Sequence, residues 1–254
     1  MKIIGIIPAR MAASRFPGKP LHPILGRTLL EHVYERAKKF PRWSALAVAT
    51  CDAEIREFSS AKSYPVIMTA DTHIRALDRV TEAVEKLDMA VDENDIVINV
   101  QGDEPMLHPE MIEAVVRPFD EDHEVNGTML AMPIVDEELY QNPDILKIAH
   151  NLKGDVLYTS RNPIPWCKNF SADLGAKRIG GIFAFRWHFL KTFTSLPASP
   201  LEIQEACDSN RLYDYGHTQR IALVPPQPFY SVDSPEDAER VAAALEQDSL
   251  WGTY

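Results

Sequence analysis

KIIGIIPARMAASRFPGKPL, residues 2–21, joins a short buried strand to a basic loop, and this junction decides the fold. An isoleucine-rich run over residues 2–7 is broken by Pro8, the pattern of a strand covered on both faces. The pattern returns at ALAVAT (45–50), PVIMT (65–69) and DIVINV (95–100). Helical spacing fills the intervals at 28–39, 53–60 and 77–87. Apolar strands alternating with amphipathic helices predict an α/β fold with a mainly parallel central sheet. Ligands of such sheets bind at the carboxyl ends of the strands. The loops after Ile7, Thr50, Thr69 and Val100 are therefore the ones to read for chemistry.

The second half is less regular. Strands are expected at 127–133, 155–160, 180–185 and 220–224, and helices at 199–216 and 234–247. Ser234 is the expected N-cap of the last helix, followed by Pro235, Glu236 and Asp237 in its first turn. No repeat or linker divides the chain. The expectation is one domain over 1–254, with an inserted lobe at about 130–200.

Lys and Arg number 26 against 37 Asp and Glu, a formal charge of −11. Such a chain is a poor general binder of nucleic acid, and none is expected as a partner. If it handles phosphates, a local basic cluster must do so. Three cysteines without CxxC spacing suggest a reducing cytoplasm and no zinc site. The apolar run at the start is shorter than a signal-peptide core, and no run reaches membrane-spanning length.

Within the first loop, Arg10, Arg15 and Lys19 stand among small residues and Gly18. Small residues let backbone N–H groups approach an anion, and three cations can neutralise a triphosphate. The alternative is a solvated basic loop. The loop is neither a GxxxxGK[ST] phosphate loop nor a GxGxxG dinucleotide fingerprint. NVQGDEP, residues 99–105, places Asp103 at a strand end, where it could hold a hard divalent cation or merely close a turn. VDSPED, residues 232–237, places Asp233 beside a helix start. Its carboxylate is a ligand or a cap, and Ser234 competes for the cap role.

PARMAASRFPGKPL, ATCD (49–52), NVQGDEP, YTSRNPIPW (158–166) and VDSPED occur in the order found in 3-deoxy-manno-octulosonate cytidylyltransferases, the CMP-Kdo synthetases, which the chain resembles over nearly its whole length. The resemblance implies a Rossmann-like, GT-A-like nucleotide-diphospho-sugar transferase fold. It implies a cytoplasmic enzyme joining CTP to the anomeric hydroxyl of a sugar acid, with release of pyrophosphate. It places Pro8, Ala9, Arg10, Arg15, Lys19, Thr72, His73, Arg75 and Gln101 at the nucleotide, with Arg10, Lys19 and Asp103 catalytic. Asp103 and Asp233 would hold Mg²⁺. Arg79, Gln101, Arg161, Ile179, Phe183, Asp208 and Ser209 would line the acceptor side, and the inserted lobe would form a homodimer.

Three segments depart from the family pattern. DHxSGTER becomes THIRALDR (72–79), which replaces the Ser-Gly-Thr core with Arg75, Ala76 and Leu77. Arg75 is either an added anion contact or a surface residue at a helix start. HLGIYGY becomes IGGIFAF (179–185), and LEQLR becomes CDSNR (207–211). These changes remove or shorten hydrogen-bonding groups on the acceptor side, where such groups discriminate strongly. They predict a kept nucleotidyl-transfer apparatus with a divergent acceptor pocket, whose acid is another ulosonic acid, an amino-sugar acid or a phosphonate. The rivals are a nucleotidyltransferase for another base and a non-catalytic nucleotide-sugar-binding or regulatory module.

Overall fold

The isoleucine run forms β1, Ile3–Pro8, buried along its length as far as the half-buried Pro8. The structure, a computed structural model, describes residues 1–12 and 15–254. Ala13 and Ser14, two of the small residues of the basic loop, lie outside the described residues. The chain divides into two compact units, Met1–Glu113 with Pro228–Tyr254, and Ala114–Gln227.

In the first unit, β2 (Pro23–Ile24) and β3 (Arg27–Thr28) form a tight hairpin. It turns through Leu25 and Gly26, both at positive φ, as a two-residue turn of the primed type requires. There follow α1 (Leu29–Lys38), β4 (Ala45–Thr50), α2 (Ala53–Ala61), β5 (Val66–Met68), α3 (Ala76–Glu85) and β6 (Ile96–Val100). α4 (Pro109–Glu121) begins in this unit and ends in the second. The strands stand in the order β6-β1-β4-β5 and all run parallel, with Ile4 opposite both Ala45 and Val97. Their carboxyl ends therefore share one edge of the sheet.

Thr28 caps α1 by accepting the Glu31 N–H at 3.2 Å. The tail packs against this helix. The Tyr254 hydroxyl lies 2.8 Å from His32 Nδ1 and accepts from Arg36 Nε at 3.0 Å. His32 Nε2 faces the Ile24 carbonyl at 2.8 Å, so this nitrogen carries the proton and Nδ1 accepts from the tyrosine. Arg36, fully buried, also pairs with Asp248 at 2.8 Å.

In the second unit, β7 (Gly127–Pro133) is followed by α5 (Glu137–Gln141), β8 (Lys147–His150), β9 (Val156–Ser160) and β10 (Lys177–Arg186). Then come α6 (Trp187–Ser195), α7 (Pro200–Glu205), α8 (Asn210–Asp214) and β11 (Arg220–Leu223). β11 runs parallel to β7; β10 is antiparallel to β7 and β8, and β8 to β9. Met129, Ala131, Ile148, Val156 and Ile221 form the core of this sheet.

The single helix expected at 199–216 is two short helices. Ala206 adopts a left-handed φ of 47°, and the chain turns so that Asn210 docks on β9. There the Asn210 side chain accepts from Thr159 N–H at 3.2 Å and donates to Thr159 O at 3.0 Å, as a neighbouring strand would. β2, β3, β8, α4, α5 and α6 are additions to the sequence reading.

Candidate functional site

β1 ends at Pro8, and the parallel ladder continues one step further, with Ala9 N–H donating to Ala49 O at 2.9 Å. The loop beyond is anchored twice. Asp52, in the ATCD turn after β4, accepts the Met11 N–H at 2.8 Å. Gly18, at φ 75°, returns its own N–H to Met11 O at 3.0 Å. A residue with a Cβ would strain that left-handed turn. Lys19 opens the short 3-10 turn Lys19–Leu21 immediately afterwards.

The Lys19 ammonium is the meeting point of the site. It donates to Asp103 Oδ2 at 3.0 Å, Asp233 Oδ1 at 3.1 Å and the Val232 carbonyl at 2.7 Å. Burial works against the charged ammonium, but the two carboxylates outweigh it and hold its pKa above the ordinary lysine value. Arg15 pairs with the other Asp233 oxygen at 2.9 Å. Residues separated in sequence by more than eighty positions, and then by more than a hundred, thus share one cationic point.

Two features bring the acidic loops there. Gly102 lies so close to the end of β1 that a Cβ would stand 2.5 Å from the Pro8 oxygen. Only glycine permits this approach, and it sets Asp103 beside the basic loop. Ser231 donates to Glu104 Oε1 at 2.7 Å, and Val232 N–H to Asp103 O at 2.9 Å, which ties the two acidic loops together. The competition at the last helix, Pro235–Leu245, falls to Ser234: its hydroxyl accepts the Asp237 N–H at 3.2 Å. Asp233 is left to face the cations.

These groups line a pocket of about 310 Å³. Of the residues singled out in the sequence, Pro8, Ala9, Arg10, Arg15, Lys19, His73, Arg75, Arg79, Gln101, Asp103 and Asp233 line it. Five cationic side chains against two carboxylates give a positive pocket in an acidic chain. The exposed Arg10 guanidinium and the Gln101 amide have no protein partner among the described residues. Arg79 is buried, bonded to the Thr69 hydroxyl and to Ala70 O at 3.2 Å. Arg75, just before α3, is half-buried and held bidentately by Asp78 at 2.8 and 2.6 Å. It is no solvated surface residue.

The remaining expectations lie elsewhere. Thr72 is exposed and outside the pocket lining. Arg161, Ile179, Phe183, Asp208 and Ser209 belong to the second unit. There the Arg161 guanidinium donates to the carbonyls of Pro143 at 2.9 Å, Glu205 at 2.9 Å and Ala206 at 3.4 Å. Ile179 and Phe183 pack on the apolar core of their sheet, and Ser209 is buried. The sequence reading missed Phe16, Pro20, Ile74, Ala76 and Gly102 as lining. Of these, Gly102 carried a signal, a glycine between a strand end and an acidic residue.

Among the described residues no three His, Cys, Asp or Glu side chains cluster as a metal cage. Two carboxylates converging on one cation nevertheless suit Mg²⁺, which takes one or two carboxylates and fills its shell with water and substrate phosphate. The Lys19 ammonium marks where such a charge is compensated. No helix among the described residues is long and apolar enough to cross a membrane.

A family model described as cytidylyltransferase matches residues 4–221. Among curated relatives, the 3-deoxy-manno-octulosonate cytidylyltransferase of Syntrophobacter fumaroxidans is 39% identical over 98% of this chain and 99% of its own. That of Nitratidesulfovibrio vulgaris is 41% identical over 96% of each. Among solved structures, CMP:2-keto-3-deoxy-manno-octonic acid synthetase complexed with CTP superposes with a TM-score of 0.88 at 34% identity, covering 97% of this chain and 99% of the other.

Proposed function

The chain belongs to the cytidylyltransferase family, and on that premise we propose that it joins CTP to 3-deoxy-manno-octulosonate (Kdo), giving the CMP-sugar and pyrophosphate. The observation that carries the reading is the convergence of Lys19, Arg15, Asp103 and Asp233 in a positive pocket at the carboxyl edge of a parallel sheet.

The acceptor hydroxyl attacks the α-phosphorus, and pyrophosphate leaves. Negative charge grows on the departing oxygens, so cations fixed beside them favour the transition state over the ground state. Arg10, Arg15 and Lys19 are positioned to supply that compensation, and Gly18 and Asp52 hold the loop that carries them. Asp103 and Asp233 are the residues that would hold Mg²⁺, whose chemistry here is Lewis-acid polarisation of the phosphate. When the triphosphate enters, Lys19 exchanges carboxylate partners for phosphate oxygens. A half-buried ammonium already held charged makes that exchange without a proton change.

The acceptor follows from the relatives' activity, together with pairwise identity across almost the whole chain. A cytoplasmic homodimer completes the proposal. Three free cysteines suit a reducing compartment, and the second unit exposes Leu157, Trp166 and Ile203, a start for a protein interface.

Pyrophosphate release with each nucleoside triphosphate, Mg²⁺ and a panel of sugar acids tests the proposal. Release with CTP and Kdo above all other pairs supports it. Preference for a different acid moves the acceptor to match the apolar Ile179 and Phe183. CTP binding with no release for any acid points to a binding module.

A further inference from the structure

We propose that Asp237, outside the pocket lining, is a positioning residue that keeps Asp233 a cation ligand instead of a cap of the last helix, α9 (Pro235–Leu245). The inference rests on the cytidylyl-transfer reading, in which Asp233 helps to hold Mg²⁺. It assigns a residue to which that reading gives no role.

An aspartate one residue ahead of an N-cap has two competing uses. The first turn of a helix carries N–H groups without intrahelical acceptors, and a nearby carboxylate is drawn to them. An Asp233 side chain turned back on α9 would leave the cations. Three features oppose that turn. Pro235 has no N–H, so the donor two residues on, the common partner of an aspartate side chain in a turn, is missing. The Ser234 hydroxyl takes the cap role and accepts the Asp237 N–H at 3.2 Å. Asp237 Oδ2 then accepts three times: from the Asp233 N–H at 3.2 Å, the Ser234 N–H at 3.0 Å and the Ser234 hydroxyl at 3.0 Å.

The backbone at Asp233 is therefore held from both sides. On one side Asp237 takes its N–H. On the other, Val232 donates its N–H to Asp103 O at 2.9 Å and offers its carbonyl to Lys19 at 2.7 Å. From this fixed backbone the Asp233 carboxylate presents Oδ1 to Lys19 at 3.1 Å and Oδ2 to Arg15 at 2.9 Å. Asp237 does not reach the cations itself. Its other oxygen faces the exposed Arg240 at 3.6 Å, and no bond joins it to Lys19 or Arg15 among the described residues. It acts through Asp233, and by accepting bonds more than by charge. All three bonds end on one oxygen, which an asparagine can also offer.

The test measures CTP affinity by titration calorimetry, with and without Mg²⁺, in wild type, Asp237→Ala, Asp237→Asn, Asp233→Asn and Asp233→Asn/Asp237→Ala. The quantity read is the factor by which Mg²⁺ tightens CTP binding, taken well below the melting temperature of each protein. Ser234 and Pro235 stay in place, so Asp237→Ala should fold and melt lower in both backgrounds. Asp237→Ala should lose about fivefold or more of the Mg²⁺ factor, while Asp237→Asn keeps it within about twofold of wild type. In the Asp233→Asn background, Asp237→Ala should change the factor by less than about twofold, although melting still falls. A purely structural cap would move melting alone. The inference is overturned if Asp237→Ala keeps the factor within about twofold of wild type, if Asp237→Asn loses as much as Asp237→Ala, or if the loss recurs in the Asp233→Asn background. If wild type binds CTP and releases pyrophosphate with Kdo in any of those cases, the cytidylyl-transfer reading survives. A wild type that binds no CTP overturns both.

Discussion

Lys19 shows how a single residue organises the site. Its ammonium compensates Asp103 and Asp233, and the carboxylates in turn keep it charged despite burial. Asp103→Asn leaves a partly exposed side chain of the same shape, so the fold should persist while kcat for pyrophosphate release falls about a hundredfold or more. A near-normal kcat would remove Asp103 from the reaction. Gly102→Ala tests the approach of the two strand ends. The added methyl would stand 2.5 Å from the Pro8 oxygen, so the loop must shift and carry Asp103 with it. Activity should drop about tenfold or more, with a smaller change in melting temperature. Arg10, Lys19 and Asp103 could be singled out in the sequence because charge in the loops that follow the strands of an α/β pattern has few structural uses, whereas Asp233 stands at a helix start and was singled out through the VDSPED motif. The ties between Glu104 and Ser231, and between Met11 and Asp52, were not legible, since they join groups that only tertiary folding brings together.

At the scale of elements, strands read more easily than helices. β1, β4 and β6 were legible because a fully covered strand is apolar throughout. The helix expected at 199–216 failed because helical periodicity cannot register a left-handed residue such as Ala206, or an asparagine that pairs with β9. α1 illustrates a different limit. Its buried face carries His32 and Arg36, which look misplaced until the tail supplies Tyr254 and Asp248. Arg36→Met should cost about 3 kcal/mol in denaturant unfolding, since it strips Asp248 and Tyr254 of a buried partner. Burial, aided by Arg36 and Arg27, pushes the His32 pKa below the ordinary imidazole value. In the unfolded chain that imidazole takes up a proton as pH falls through about 6.5, while the folded ring resists it. The unfolded state then binds more protons, so stability contributed by His32 is complete above about 6.5 and declines below it. Melting temperature measured from pH 8 to 5.5 should fall over that window, and a His32→Gln variant should fall less.

At the scale of the whole molecule, a chain of net charge −11 gathers five cationic side chains around one pocket. A positive pocket in an acidic molecule would draw an anion by charge, so CTP binding should weaken as salt rises. The fold was legible at this scale through the alternation of its first half, and the kinship of the chain through its motifs. An inserted lobe was expected at about 130–200, whereas the bounds of the second unit, Ala114 and Gln227, were not legible, because no change of composition marks them. Lys19, Asp103 and Asp233 meet at one point, and the proposed function has them grip a magnesium-bound triphosphate as one unit. Titration calorimetry of CTP, with and without Mg²⁺, in wild type and in the Asp103→Asn/Asp233→Asn double variant tests it most directly. Mg²⁺ should tighten CTP binding about tenfold or more in wild type and have little effect in the double variant. An equal Mg²⁺ effect in both proteins would contradict it.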